Sequence, residues 1–260
     1  MDFRDIPAET TRSIAFLSRI PVANSMFGPA PWKISGAVGV FPLAGIIITL
    51  PAALLAALLS WFGIPAALIA LLTLVTMVLI TGALHEDGLA DCADAFGAGG
   101  QRSRILDILK DSRIGAYGTL AMIFSIGLRA VALTVLIAVG PPLAMAATLL
   151  SAAALSRALM VWHWRRLPAA RTDGVSAGAG RPAPQSAWMA LAIGIGTALV
   201  LPVTQAGFLA AFVAVLFAVL ATDLWTRYVD GKLAGQTGDT IGAAQQIAET
   251  VFLVTLVSVL

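Results

Sequence analysis

Charged residues are scarce in this chain: Asp, Glu, Lys and Arg make up 12% of its 260 residues, about half the share found in soluble globular proteins. That deficit excludes an ordinary water-facing surface. Cysteine is nearly absent as well; a lone Cys92 excludes an intramolecular disulfide and says nothing more about redox chemistry. Also missing is a short apolar core beside a small-residue cleavage site near the start. The first 34 residues are polar and mixed in charge (Asp2, Arg4, Asp5, Glu9, Arg12), so no cleavable signal is expected there.

What the chain does have is apolar sequence, 59% of the whole. A helix needs roughly 20 mostly apolar residues to cross the hydrocarbon core. Seven such runs occur, at about 36–60, 64–84, 115–139, 143–163, 187–203, 206–224 and 243–260. Pro202 and Gly207 leave the ends of the fifth and sixth open. Lipid leaves backbone groups nothing to bond to, and the runs lack the alternation of barrel strands, so helices are expected. Residues Thr11 to Ile20 read either as a short interfacial helix, with Ile14, Leu17 and Ile20 on one face, or as an extended tail.

The charges that remain are unevenly placed. Of the 16 Lys and Arg residues, 14 fall in four segments: the N-terminal tail, 85–114, 164–186 and 225–242. With seven spans these segments share one side, and the connections at 61–63, 140–142 and 204–205 carry no charge. The positive-inside rule puts that side in the cytoplasm. The expectation is an all-α polytopic membrane protein of a bacterial inner membrane. Residues 1–260 would form a single membrane-embedded catalytic domain, with 1–35 as a cytoplasmic segment and 85–114, 164–186 and 225–242 as cytoplasmic loops. The 14 acidic residues follow the same partition, and Glu249 alone sits within a span. A transporter usually needs polar groups at mid-bilayer; here only Arg129, Arg157 and Glu249 qualify. An enzyme with its active site facing the cytoplasm fits better.

Three constellations carry the chemistry. In the stretch from Thr81 to Asp94 (TGALHEDGLADCAD), Asp87, Asp91 and Asp94 are spaced i, i+4, i+7, on one face of a helix. Like charges there destabilise a helix unless neutralised, and oxygen-only ligands suit Mg²⁺, which commonly bridges to substrate phosphates. A solvated acidic helix end is the plain alternative. His85 beside the triplet reads as a general base, a substrate hydrogen-bond donor or an interfacial residue. Second, residues 102–118 (RSRILDILKDSRIGAYG) hold Lys110 and Arg113, which suit phosphate oxygens. Arg102 and Arg104 read as positive-inside anchors, and Asp111 or Ser112 as caps of the third span. Third, the turn 235–242 (GQTGDTIG), with Thr237, Gly238 and Asp239, opens the last helix and offers free amides to an anion. Beyond it Gly242, Gln246 and Glu249 share a face that is expected to line a cavity. Arg129 and Arg157 require partners within the bundle: a substrate phosphate or one of the Asp residues, with snorkelling the alternative for Arg157.

Taken together these stretches resemble the cobalamin synthase family, the adenosylcobinamide-GDP ribazoletransferases. The match runs through FLSRIPV at 16–22, FPLAGIII at 41–48, TGALHEDGLADCADAF at 81–96, LKDSRIGAYG at 109–118, LSR at 155–157 and GQTGDTIGA at 235–243. Ala95 stands where the family often has Gly, and Leu109 where it often has Met. The resemblance implies that α-ribazole or its 5′-phosphate is joined to adenosylcobinamide-GDP, yielding adenosylcobalamin or its 5′-phosphate and GMP. On that reading Asp87, Asp91 and Asp94 hold Mg²⁺. Lys110, Arg113 and Arg157 would stabilise phosphate oxygens, with Thr237 and Gly238 at the anion site. Asp239 completes the metal site or orients the nucleophile, and the base is a carboxylate or His85. No nucleic-acid partner is expected, and no oligomeric state is implied. A CDP-alcohol-type phosphotransferase ranks second, its Asp pattern being absent; a transporter or a membrane scaffold ranks lower.

Overall fold

The computed structural model describes residues 5–23, 27, 33–111, 113–172 and 178–260. Asp2, Arg4 and Ser112 lie outside them. Ten α helices are described: α1 (Ile6–Leu17), α2 (Phe41–Trp61), α3 (Ala66–Thr81), α4 (Leu84–Gly97), α5 (Arg102–Ile108), α6 (Ala116–Val139), α7 (Pro142–Arg166), α8 (Pro184–Val200), α9 (Val203–Leu233) and α10 (Gly238–Ser258). Among the described residues the only β pairing is one parallel bridge between Ala169 and Gln236.

Each of the seven apolar runs becomes a helix. Five helices are long and apolar enough to cross a bilayer, the bent pair α3–α4 counts as a sixth, and the 17-residue α8 is a shorter apolar helix. Their outer surface is greasy: Leu79, Ile123, Val131, Phe208 and Leu209 are all exposed, as lipid contact requires. α7 is the centre of the bundle, 89% of its apolar window being buried against 28% for α6 and for α9. Alanines at 152, 153, 154 and 158 are fully covered, and such small residues let neighbouring backbones come close. α2, α8, α9 and α10 pack around it.

Three boundaries differ from the expectation. The second apolar run does not continue straight into the acidic motif: α3 stops at Thr81 and α4 leaves at 91°. Gly82 (φ +67°) and Ala83 (φ +61°) make the corner, both left-handed, a conformation glycine adopts freely and alanine only at a cost. Two of the three segments expected as loops are largely helical, with α4 and α5 filling much of 85–114 and α9 running on to Leu233, while 164–186 holds only the ends of α7 and α8. The sixth span is broken near its start, where Gly207 (φ +80°) interrupts α9. The N-terminal stretch is a helix, as one of its two readings had it; its Leu17 is buried, and Ile14 and Ile20 pack on the core.

Inside the bundle sits a charge cluster. Arg129 of α6 donates to Glu249 of α10 at 3.1 Å and to Glu86 of α4 at 3.1 Å. Arg157 of α7 donates to the other oxygen of Glu249 at 2.9 Å. Gln245 reaches Glu249 at 2.7 Å, Gln246 reaches Glu86 at 3.1 Å, and Ser125 reaches Gln246 at 3.1 Å. The two arginines and two glutamates are all less than a tenth exposed, and their formal charges cancel. Of the stripe expected to line a cavity, Gly242 does line a cleft and Gln246 a pocket, whereas Glu249 is taken up by the cluster. Removing one member leaves a charge stranded in an apolar interior, which typically costs about 3–5 kcal/mol. Glu249→Ala is expected to lower unfolding stability in detergent by that amount, read by thermal denaturation, with Glu249→Gln intermediate; an unchanged midpoint would contradict the role given to the cluster.

Candidate functional site

The acidic motif folds as α4, and the cluster fixes its first turn through Glu86. Its last turns are fixed by Asp94, whose carboxylate accepts from the backbone N–H of Gly115 at 2.6 Å and of Gly118 at 2.9 Å. Those amides begin α6, where free N–H groups and the helix dipole favour an anion. A β-carbon at either glycine would run into the Asp94 carboxylate. Asp94, expected as a metal ligand, thus caps α6 from across the fold. Asp111, expected as the cap, instead holds Arg113 at 2.6 Å.

Between these anchors α4 lies against the start of α10. Gly88 makes this possible: a β-carbon there would come within 2.8 Å of the Asp239 carbonyl oxygen. Asp87, Gly88, Gly238 and Asp239 consequently line one cleft, together with His85. The cleft has a volume of about 170 Å³, and its other lining residues are largely apolar, many of them from α1, α2 and α7. Asp87 and Asp91 lie one turn apart on α4, and Asp239 shares the cleft with Asp87. The expected like-charge crowding is present, with Asp239 added to it. His85 is buried beside these carboxylates. Cys92 is buried.

The glycine-rich turn also forms locally. Thr237 and Thr240 cap each other's backbone N–H at 3.3 and 3.0 Å, a reciprocal capping box. The Thr237 hydroxyl also donates to Asp239 at 3.2 Å. The turn is pinned to the segment after α7: Ala170 N–H donates to Gln236 and Gln236 N–H to Pro168, both at 2.8 Å.

The basic residues do not gather on one surface. Lys110 lines a groove with Arg102, Asp107, Arg171 and Thr172, whereas Arg113 lines a different one with Asp94 and Gly115. Arg102 ties α5 down by donating to the carbonyls of Leu233 at 2.7 Å and Ala170 at 2.6 Å. Arg157, expected to meet a phosphate or one of the Asp residues, pairs instead with Glu249 and does not line the cleft. Two positions escaped the sequence reading. Arg171 lies 3.6 Å from the Asp239 carboxylate, and buried His163 bridges Thr226 at 2.9 Å and Thr240 at 3.2 Å. No spacing signal marks either, because their partners are more than 60 residues away.

Among the described residues no three acidic, histidine or cysteine side chains form a ready-made metal cage. Mg²⁺ seldom needs one, since it usually takes one or two carboxylates and completes its shell with water and substrate phosphate. The crowded carboxylates at Asp87 and Asp91, all oxygen donors, fit such an ion.

Helices long and apolar enough for a bilayer, converging on an acidic cleft at their ends, define a multi-pass helical membrane protein with an enzyme-like pocket. Its kinship is specific. Residues 10–257 match the model of the cobalamin-5-phosphate synthase family, and the chain belongs to that family. It is 46% identical over 256 residues to the adenosylcobinamide-GDP ribazoletransferase of Sinorhizobium medicae (strain WSM419), across 97% of each chain. It is 47% identical over 254 residues to that of Rhizobium meliloti (strain 1021), again across 97% of each. The enzyme of Rhizobium johnstonii (strain DSM 114642 / LMG 32736 / 3841) is 43% identical over 261 residues, the full length of both. No solved structure matches the chain.

Replacing Asp94 by Ala removes the cap of α6 and is expected to lower stability by about 1–2 kcal/mol. Thermal melts in detergent would measure it, and Asp94→Asn should recover part of the loss.

Proposed function

We propose that this chain is a cobalamin-assembling transferase that joins adenosylcobinamide-GDP to α-ribazole or α-ribazole 5′-phosphate and releases GMP. Near-full-length kinship to relatives bearing that enzyme name supports the reading. The observation that carries it on the protein side is the meeting of α4 and α10 at Gly88, which puts Asp87 and Asp239 on one cleft.

In this reaction a ribose hydroxyl attacks the phosphorus bonded to the cobinamide arm. A new P–O bond forms, the bond from that phosphorus to the bridging pyrophosphate oxygen breaks, and GMP leaves with the electron pair. Phosphoryl transfer of this kind depends mainly on positioning and charge neutralisation. Asp87 and Asp91 would hold Mg²⁺, which would supply positive charge to the pyrophosphate oxygens. Asp94 shares in that site only through oxygens already held by Gly115 and Gly118. Asp239, steadied by Thr237 and Arg171, orients the attacking hydroxyl and receives its proton. The free amide of Gly238 faces the cleft as an anion contact. Lys110 and Arg171, which share a groove, hold the departing phosphate, and Arg113 screens the charge from the far side of Asp94. His85 borders the bound acceptor.

The charge partition supports placement in the bacterial inner membrane with the cleft opening to the cytoplasm. A water-soluble nucleotide then reaches the carboxylates directly.

GMP release from adenosylcobinamide-GDP and ribazole phosphate is the direct assay. Asp87→Asn and Asp91→Asn are each expected to lower kcat by about 100-fold or more, and chelation of divalent cations should abolish turnover until Mg²⁺ is restored. Full turnover in chelator would defeat the metal assignment, and no GMP release by the intact chain would defeat the reaction itself.

A further inference from the structure

The turn that carries Asp239 is tied to the bundle by a group for which the transfer step has so far no use. His163 of α7 is fully buried, yet both of its ring nitrogens are bonded. Nδ1 meets the Thr226 hydroxyl of α9 at 2.9 Å, and Nε2 meets the Thr240 hydroxyl of α10 at 3.2 Å. One imidazole thus joins three helices where α10 begins.

From Thr240 the bonds lead on to the cleft. Its hydroxyl accepts from the Thr237 N–H at 3.0 Å and donates to the Thr237 carbonyl at 3.0 Å. A hydroxyl has one proton and two lone pairs, so those two bonds and the imidazole leave it no further freedom. The Thr240 N–H in turn donates to the Thr237 hydroxyl at 3.3 Å, and that hydroxyl donates to Asp239 Oδ2 at 3.2 Å. A chain of hydrogen bonds therefore runs from the α7 ring to a carboxylate that lines the cleft, although His163 does not line it.

Stability gives little reason for such a chain. Replacing both partners of a buried hydrogen bond by apolar groups of like shape is nearly neutral, so apolar side chains at 163 and 226 would suit the interior of this bundle as well. What the polar chain adds is direction. A carboxylate on the first turn of a helix swings with that turn, and misplacing a reacting group by about 1 Å costs on the order of 100-fold in rate.

We propose that His163 is a positioning residue for the transfer step, fixing through Thr240 and Thr237 the direction in which the Asp239 carboxylate faces the cleft. The inference rests on the transferase reading, in which Asp239 orients the attacking hydroxyl and receives its proton. His163 itself touches neither substrate, so loss of the alignment lowers kcat and leaves both KM values in place.

The test separates the two ring nitrogens, using the full-length chain in detergent micelles with GMP release as the readout. In His163→Asn the amide reaches the position of Nδ1 and keeps the Thr226 bond, whereas in His163→Gln it reaches that of Nε2 and keeps the Thr240 bond. Each variant leaves one buried hydroxyl short of a partner, so their melting points should fall alike. His163→Asn is expected to lower kcat about tenfold or more with both KM values unchanged, and His163→Gln to stay within about threefold of the intact chain. Thr237→Val, which cuts the chain before Asp239, should lower kcat by itself and serves if His163→Asn does not fold; in its background the difference between the two His163 variants should vanish. Equal kcat in His163→Asn and His163→Gln, a raised KM for either substrate, or full turnover in Thr237→Val overturns the positioning role while leaving the reaction standing. Absence of GMP release by the intact chain would remove both.

Discussion

An apolar bundle cannot solvate a charge, so the two arginines and two glutamates at its centre must satisfy one another. Arg129 and Arg157 converge on Glu249, and Arg129 also holds Glu86. Four helices, α4, α6, α7 and α10, each contribute to this neutral group, and none can shift without unpairing a charge where no water can replace the partner. The position of α4, and of everything it carries, is set by that constraint.

α4 is therefore clamped twice, by Glu86 at its first turn and by Asp94 at its last. The stretch between is left to face α10. Glycine at 88 lets the backbones approach until Asp87 and Asp239 share a cleft. The wall opposite is supplied by helices of quite different character, the aromatic α1, α2 and α7. Acidic and apolar linings meet because helix ends, rather than helix middles, form the cleft.

Much of this was legible in the sequence. Run length gave the seven apolar helices, and the i, i+4, i+7 spacing placed the aspartates on one face. The polar stripe of Gln246 and Glu249 had to be interior, because anchoring offers no use for it. What was hidden depends on contacts between distant residues. Gly82 alone hints at a corner, and nothing local says that the adjoining Ala83 also turns left-handed. Asp94 caps a helix more than 20 residues away, a use that its spacing with Asp87 and Asp91 does not announce. Arg157 looked available to substrate because its partner, Glu249, lies 92 residues further on. Arg171 and His163 gave no signal, being single residues whose meaning lies in what folds against them.

The corner between α3 and α4 is only two residues long. Each residue added to a helix rotates the remainder of that helix by about 100°. An insertion or deletion at this corner would swing Glu86 out of the bundle and the aspartates off the cleft while leaving every side chain present. The number of residues joining these two helices is thus as much a part of the site as the carboxylates, and tolerance to changes of length should be lowest here, in a segment that chemistry alone would pass over.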